Sequence, residues 1–428
     1  MVAPRRVLPK VRSVGPKRVL IIVQNLPVPF DRRVWLECRA LVETGWAVSV
    51  VCPKGKGDPR YHVVEGVELY KYRPYPPHLD KFGFVAEYLY SFVMTAWLTA
   101  KVWRRHRFDI MQTCNPPDIF WPLGLLYSAL AGTRFVYDQH DLCPEMYESR
   151  FPDGSRLSYY YRGLRLLERR TYRAADHVIA TNESYRRMAI ERGGKRPDQV
   201  TVVRSGPDAD RMQARQADAS LRRGRRFLVA YVGVMGPQDG VDIVLRAADS
   251  LVHELGRDDI AFTLMGTGDC FDDLSALCEK LDLQDYVQFT GRVPDDVLFG
   301  VLSTADVGLL PDPKNPVNDV STMNKVMEYM AFCLPVVAFD LRETRVSAGD
   351  AAVYAEPNDV RLYARAIVEL LDDEPRRRSM GALGRARVED ELAWRHQRAA
   401  YVGVYDRITE QEAGAATRVP DLPRSGRD

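Results

Sequence analysis

The stretch STMNKVMEYMAFCLPVVAFD, Ser321 to Asp340, sets a lysine and a glutamate one helical turn apart, just ahead of an apolar strand. Met323, Val326, Met327 and Met330 repeat at i, i+3, i+4 and i+7, which gives a helix one apolar face. Asn324, Lys325 and Glu328 fall on the opposite side. Free N–H groups and the positive end of the dipole make a first helical turn attractive to an anion. Lys325, in that turn, adds a compact charge suited to phosphate. Glu328, one turn on, is placed to accept two hydrogen bonds from a ribose diol. The plainer reading of the same spacing is a surface ion pair worth about 0.2–0.5 kcal/mol.

Four other stretches hold residues of chemical interest. In LMGTGDCFDDL a strand ends at Met265, and Gly266 and Gly268 allow a ligand close to the backbone. A lone G-x-G also marks ordinary strand–helix turns. In YVGVMGPQDGVD, Gly233, Gly236 and Gly240 leave backbone N–H groups open to a phosphate, while Asp239 is an awkward neighbour for an anion and reads equally as a helix cap. VYDQHDLCPE clusters Asp138, His140, Asp141 and Glu145 after a strand. There His140 reads as a base or as a donor to a sugar hydroxyl. Metal ligation is open on residue type, but this spacing does not prescribe a ligand geometry. NLPVPFDRRVW puts Asp31, Arg32 and Arg33 at the start of the first helix, where they would meet an anionic acceptor or close a cleft by ion pairing. Plain surface charge is the alternative.

These stretches need elements to hold them. RVLIIV, AVSVVCP, FDIMQTC, RFVYD, AADHVIATN and QVTVVRSG read as strands, with helical text between most of them. A basic, Pro-interrupted arm, residues 1–17, precedes the first strand and is expected to be disordered. The first domain is expected over 18–206. A polar, charged stretch over 207–225 reads as a linker. The strand–helix pattern then restarts over 226–385 with RFLVAYVGV, IAFTLMG, YVQFTG, ADVGLLP, LPVVAFD and AAVYAEP. A last helix, 386–410, is placed to cross back to the first domain, and 411–428 reads as a tail. Alternating strands and helices predict two doubly wound, Rossmann-like α/β domains, each a parallel sheet covered on both faces. Ligands bind such sheets outside the carboxyl ends of their strands, so the cleft between two facing sheets is the expected site.

With 428 residues the chain exceeds the roughly 250–300 residues at which single cores stop growing. A net charge of +2 gives no case for nucleic acid. The seven cysteines include no C-x-x-C pair, so neither a zinc site nor a disulfide framework is expected. The N-terminus has no apolar signal core, which predicts a cytoplasmic protein. FGFVAEYLYSFVMTAWLTAKVW, followed by RRHR, is long, apolar and aromatic. It reads as a buried helix, with a peripheral membrane contact through residues 82–107 as the alternative. Its polar residues count against a spanning helix.

Together these segments resemble the retaining glycosyltransferases of family 4, which have the GT-B fold. The resemblance runs from about Arg18 to Leu371 and is strongest in FTGRVPDDVLFGVLSTADVGLLP, NKVMEYMAFCLPVVAFD and SAGDAAVYAEPND. It implies transfer of a sugar from a UDP- or GDP-sugar with retention of configuration, with no metal and no cofactor. It implies that Glu328 holds the ribose, that Asn324 and Lys325 lie against the pyrophosphate, that the backbone around Arg292 borders the base, and that His140 lies near the transferred sugar. Gly233, Gly236, Gly266 and Gly268 then belong to the donor site, and Asp31, Arg32, Arg33 and Asp141 to the acceptor side. The family's pattern departs at two places. Its first glutamate falls on Val320, with Asp319 beside it as a substitute, and its phosphate-binding Arg and Lys fall near Val234 and Asp239. The expected acceptor is lipid-linked, for polysaccharide or glycolipid assembly at the inner membrane face. The alternatives are a soluble small-molecule acceptor, a sugar-nucleotide epimerase, and a binding module that has lost catalysis.

Overall fold

The apolar run of β1 (Arg18–Ile22) lies at the middle of the first sheet, with Leu20, Ile21 and Ile22 fully buried. Around it come β2 (Ala47–Pro53), β3 (Tyr61–Val64), β4 (Val67–Tyr72), β5 (Ile110–Cys114), β6 (Arg134–Gln139), β7 (His177–Ala180) and β8 (Val200–Val202), in the order β3-β4-β2-β1-β5-β6-β7-β8. The computed structural model describes residues 16–76, 81–151 and 158–417. Most of the expected basic arm and residues 418–428 of the expected tail lie outside these.

The second sheet contains β9 (Phe227–Val232), β10 (Ile260–Met265), β11 (Val287–Gly291), β12 (Val307–Leu310), β13 (Val336–Phe339) and β14 (Ala352–Ala355), in the order β11-β10-β9-β12-β13-β14. All its pairings are parallel. The first sheet departs from the expected parallel arrangement at one edge, where β3 runs antiparallel to β4. The two join through Glu65 and Gly66, both at positive φ (47° and 83°), which is the geometry of a two-residue hairpin turn. Glu-Gly is a weaker hairpin signal than Asn-Gly or Asp-Gly, and the pair escaped the sequence reading.

The helices of the first domain are α1 (Arg32–Glu43), α2 (Lys81–Arg105), α3 (Trp121–Ala131), α4 (Cys143–Arg150), α5 (Tyr159–Ala174) and α6 (Glu183–Glu191). Those that follow are α7 (Val241–Asp249), α8 (Phe271–Lys280), α9 (Asp295–Thr304), α10 (Asn324–Ala331), α11 (Arg342–Ala348), α12 (Val360–Asp372), α13 (Glu374–Arg387) and α14 (Trp394–Thr417). Period-2 alternation along β1 sorts the first core. Val19 and Ile21 pack with α1 and α14, and Leu20 and Ile22 with α2, α3 and α5. Both faces are covered, as a parallel sheet requires.

The expected linker is tied to the second domain. Backbone N–H groups of Arg215 and Asp218 donate to Ser303 Oγ and Thr304 Oγ1, both at 2.9 Å. α14 does return to the first sheet. Its Tyr401 and Tyr405 hydroxyls both donate to Gln112 of β5. The helix runs on to Thr417, past the expected boundary at 410. No helix among the described residues is long and apolar enough to cross a membrane.

In each sheet a central strand has neighbours on both sides reached by opposite crossovers: β1 between β2 and β5, and β9 between β10 and β12. The crevices at the carboxyl ends of these strands are where an open α/β sheet binds ligands.

Candidate functional site

α10 is a helix because its apolar stripe finds a core. Val326, Met327, Tyr329 and Met330 are all fully buried. Tyr329 fixes its register. Its hydroxyl donates to Leu309 O at 3.1 Å and accepts from Val232 N at 2.9 Å, joining the helix to β12 and β9. Gly308 makes room for that ring, since a Cβ there would stand 2.6 Å from it. Asn324, Lys325 and Glu328 are thereby turned away from the core.

Lys325 Nζ lies 3.1 and 3.2 Å from the two carboxylate oxygens of Asp312, 3.8 Å from Asp239 and 3.4 Å from the Tyr231 hydroxyl. Burial works against its charge, but Asp312, Tyr231 and Asp239 outweigh it and hold the ammonium well above the ordinary lysine value. Asp312 is almost fully buried, and burial raises its pKa. Burial, aided by the neighbouring Asp312, pushes Asp239 up to about 6 despite Lys325. Lys325 thus meets the cleft already engaged by two acids. Asp312 and Tyr231 had no signal in the local sequence.

The glycines also let two loops pack together. A Cβ on Gly266 would meet Gly233 O at 1.8 Å, and one on Gly268 would meet Met235 backbone atoms at 2.5–2.6 Å. One close approach they permit is between the loops after β9 and β10. Gly233 (φ 157°) sits over Tyr231 and Lys325, where a Cβ would come within 2.9 Å of the hydroxyl. Gly236 N donates to Asp239 at 3.0 Å, so Asp239 braces its own turn.

Arg32 spans the cleft. From the start of α1 it reaches Glu328 at 3.2 Å and Asp295 at 2.6 Å, and Arg211 binds the same Asp295. Burial raises the Glu328 pKa, opposed by Arg32. Arg292 lies over the Phe30 ring, 3.6 Å from its centroid. Ser184 bonds Glu343 at 2.6 Å, and Asn182 bonds Val320 O and Thr322 at 2.9 and 3.0 Å. Between the domains a cavity of about 230 Å³ is lined in part by Arg32, Ser205, Asp295, Asn324 and Glu328.

The remaining acceptor-side expectations resolve differently. Asp31 caps α1, accepting from Val34 N at 3.1 Å. Arg33 borders the interdomain cavity, but its side chain is mostly buried and its guanidinium is held by the first domain. It bonds Asp138 at 3.0 Å, Glu37 at 3.0 Å, Val203 O at 3.0 Å and Ser205 at 2.9 Å. Its alternation with Arg32 could not say which arginine turns inward. Asp138 also lies 2.7 Å from His140 Nε2. Burial opposes charge on both partners, yet Arg33 and His140 hold Asp138 below the ordinary carboxylate range, and Asp138 holds His140 above the ordinary histidine value. Glu37 is pushed up, first by burial and then by Asp138. Gln112 joins this cluster, donating to Glu37 at 2.8 Å, and carries it to the α14 tyrosines. Asn115 Oδ1 accepts from His140 N at 2.7 Å, and its amide donates to Asp141 O at 2.7 Å. Burial raises the Asp141 carboxyl.

Ligand atoms of Cys114, Asp138 and His140 lie within 4.8 Å of one another. A cation there would have to displace Arg33, whose guanidinium stands 3.0 Å from Asp138 and 3.1 Å from His140. Residue type fits a metal, and the charge already in place does not.

Two domains with facing sheets, and a lysine–glutamate helix face on their cleft, prompt comparison with known proteins. Residues 226–373 match the family described as glycosyl transferases group 1, and residues 31–206 match the glycosyl transferase 4-like domain. The chain belongs to glycosyltransferase family 4, with the GT-B fold. The D-inositol 3-phosphate glycosyltransferase of Thermomonospora curvata is 29% identical over 274 residues, 58% of this chain and 61% of that protein. The first curated relatives are thus matched over about 61% of their length. Sucrose-phosphate synthase from Thermosynechococcus elongatus superposes with a TM-score of 0.76 at 17% identity, covering 92% of this chain and 100% of that one. Anabaena HepE in complex with UDP-glucose superposes at 0.66 and 17%, covering 93% and 99%.

The places where this family member departs from the pattern can now be located. Val320 is buried in the first domain's core cluster. Asp319 accepts from Arg342 N at 3.0 Å and lies within 4 Å of Lys314 and Arg342, so it holds the start of α11. Asp239 occupies the expected place of a phosphate-binding cation. A diphosphate bound there would meet less repulsion from a protonated Asp239, whose carboxyl is raised by burial to about 6. Affinity for a nucleoside diphosphate should therefore fall as pH rises through 6, and Asp239→Asn should flatten that dependence. Calorimetric titrations from about pH 5.5 to 7.5 read it directly, spanning the group's raised value. An equal slope in the variant removes Asp239 from the site.

Proposed function

We propose that the protein transfers a sugar from a UDP-sugar, with retention, to a lipid-linked acceptor in polysaccharide or glycolipid assembly. The observation that carries the donor half is the placement of Lys325 and Glu328 one turn apart on the cleft side of α10, beside the loops after β9 and β10. Support for UDP over GDP comes from the Anabaena HepE structure, a complex with UDP-glucose. Retention and independence of metal rest on the family resemblance.

Breaking a sugar–phosphate bond builds positive charge on the sugar and negative charge on the diphosphate. Donors fixed in advance at that diphosphate stabilise the transition state without reorganising. Lys325 supplies a charge whose position is set by Asp312, Asp239 and Tyr231. Glu328 takes the ribose hydroxyls, displacing Arg32. His140, kept basic by Asp138, donates to a hydroxyl of the transferred sugar. No protein nucleophile is required by this scheme.

A soluble acceptor is the second reading, favoured by the D-inositol 3-phosphate named for the Thermomonospora relative. The lipid-linked reading places the work at the inner membrane face, and the soluble one places it in the cytoplasm.

Thermal shifts with UDP, GDP, ADP and CMP, each with and without magnesium, test the donor half. At 100 times its dissociation constant a ligand adds about 2.7 kcal/mol of stability. UDP should stabilise the wild type without magnesium and should not stabilise Glu328→Ala. No shift with any nucleotide would leave Lys325 and Glu328 engaged only with their protein partners and sink the donor reading.

A further inference from the structure

α2 presents Val85, Leu89, Val93 and Trp97 to solvent, each more than half exposed. Spacing of four residues keeps them on one face of a helix about 37 Å long. The helix buries its other side, through Leu98 and Val102, in the first core. Its neighbour α3 adds exposed Leu126 and Leu130, and α5 adds Leu166. The three helices pack on the same face of the sheet. Phe92 stacks on Phe120, and Trp103 packs on Tyr127, joining α2 to α3.

The charge on this surface has one sign. α2 and α5 carry nine lysines and arginines and two carboxylates, and α3 carries none of either. Of the two carboxylates, Glu168 is buried against Arg192, and Glu87 accepts from Gln24 at 2.7 Å. Arg162, Arg169, Arg170 and Arg173 are exposed along α5, and Lys101, Arg104 and Arg105 at the end of α2.

We propose that the α2–α3–α5 face docks on an anionic lipid bilayer, with the apolar stripe among the acyl chains and the arginines at the headgroups. An apolar helix face flanked by basic residues is the arrangement that lies in a membrane interface, and each basic side chain near an anionic surface adds to the attraction. The alternatives fit less well. A second copy of this chain would bring two basic faces together, and an acidic protein would not explain a stripe of four aliphatic and aromatic side chains.

The placement relative to the cleft gives docking a purpose. Gln24, just after β1, bonds Glu87 and Ser91, so the amino end of α2 is fixed beside the carboxyl ends of the strands. Arg150 lies over Phe84 and pairs with Asp269, in the second domain's loop after β10, at 2.7 Å. The stripe therefore begins at the mouth of the cleft. Resting on the proposed lipid-linked acceptor, the docked orientation would bring that acceptor to the site without lifting it from the bilayer.

The test is co-sedimentation of the full chain with vesicles of phosphatidylcholine alone and of phosphatidylcholine with phosphatidylglycerol. The wild type should bind the anionic vesicles, and added salt should weaken it. Leu89→Ser/Val93→Ser/Trp97→Ser should lower that affinity at least about tenfold. Arg169→Glu/Arg170→Glu should abolish the preference for anionic lipid. Binding to neither vesicle, or binding that both variants leave intact, overturns the proposal. So does a concentration-dependent dimer that the triple variant abolishes. UDP-induced thermal shifts run on the same variants should match the wild type, showing that they fold. Loss of those shifts in the wild type with vesicle binding intact would sink the donor reading and leave the docking face standing.

Discussion

Lys325→Ala should lower kcat by about 10²–10³ while changing the dissociation constant of the intact donor far less, because its charge matters most when the diphosphate departs. The same substitution should destabilise the fold. Asp312 is 2% exposed, and its carboxylate makes two contacts with Lys325. Removing one member of a buried pair typically costs about 3–5 kcal/mol, because the other is left uncompensated. A loss of activity alone would therefore be ambiguous. Lys325→Met/Asp312→Asn separates the two effects. With both charges gone, much of the stability should return, since neutral replacement of a whole buried pair is often tolerated. Turnover should not return. Single-turnover kinetics on both variants, alongside denaturant melts, reads the outcome. A double variant that regains turnover would mean that Lys325 acts only by neutralising Asp312.

The contrast between Lys325 and its partners shows where sequence reading succeeds. The stripe Val326, Met327 and Met330 is set by helical period, which is local, so the turn of Lys325 and Glu328 away from the core was legible. Asp312 is 13 residues upstream and Tyr231 is 94, and they meet Lys325 because β9 and β12 are neighbours. Strand order is decided by the whole sheet, and no local pattern encodes it. Gly233 and Gly266 repeat the lesson. Each signals a tight strand–helix turn, but that the two turns touch each other depends on β9 pairing with β10. Arg32 and Arg33 differ for a simpler reason. One residue along a helix is 100° around it, so the two must face different ways. Which of them points inward was fixed by Asp138, 105 residues downstream.

Arg32 also qualifies how the cleft works. It holds Glu328 and Asp295 across the gap between the domains. Arg32 is about half exposed while Glu328 is mostly buried, so solvent screens only the arginine's end of the tie. On the proposed donor reading, a ribose that brings two hydroxyls to Glu328 takes the place of Arg32. The strong electrostatics lie on either side, at Lys325 in one domain and at Arg33 and Asp138 in the other.

Asp138→Asn should produce the second large effect, and its signature is a change of slope with pH. Asp138 is fully buried between Arg33 and His140. Its loss leaves Arg33 with Glu37 as its remaining carboxylate partner, and stability near neutral pH should fall by about 3 kcal/mol. In the wild type, His140 and Glu37 both have folded-state pKa values above their ordinary ones. The native state therefore holds protons that the unfolded chain has released. Stability contributed by such groups is present at low pH and declines as pH rises through their folded values. From about pH 6.5 upward, each proton so retained adds a decline approaching 1.4 kcal/mol per pH unit. Asparagine removes both causes. Without the Asp138 charge, His140 loses the interaction that keeps it basic, and Glu37 loses the like charge that helps keep it protonated, freeing it to pair with Arg33 as a carboxylate. Urea denaturation at several pH values between about 6 and 8.5, across the range where an ordinary histidine releases its proton, should give a flatter profile for the variant than for the wild type. If His140 donates to the transferred sugar, the alkaline limb of kcat should also move to lower pH. A lower but parallel stability profile would mean that Asp138 contributes only packing and hydrogen bonds, and that the charge on His140 is set elsewhere.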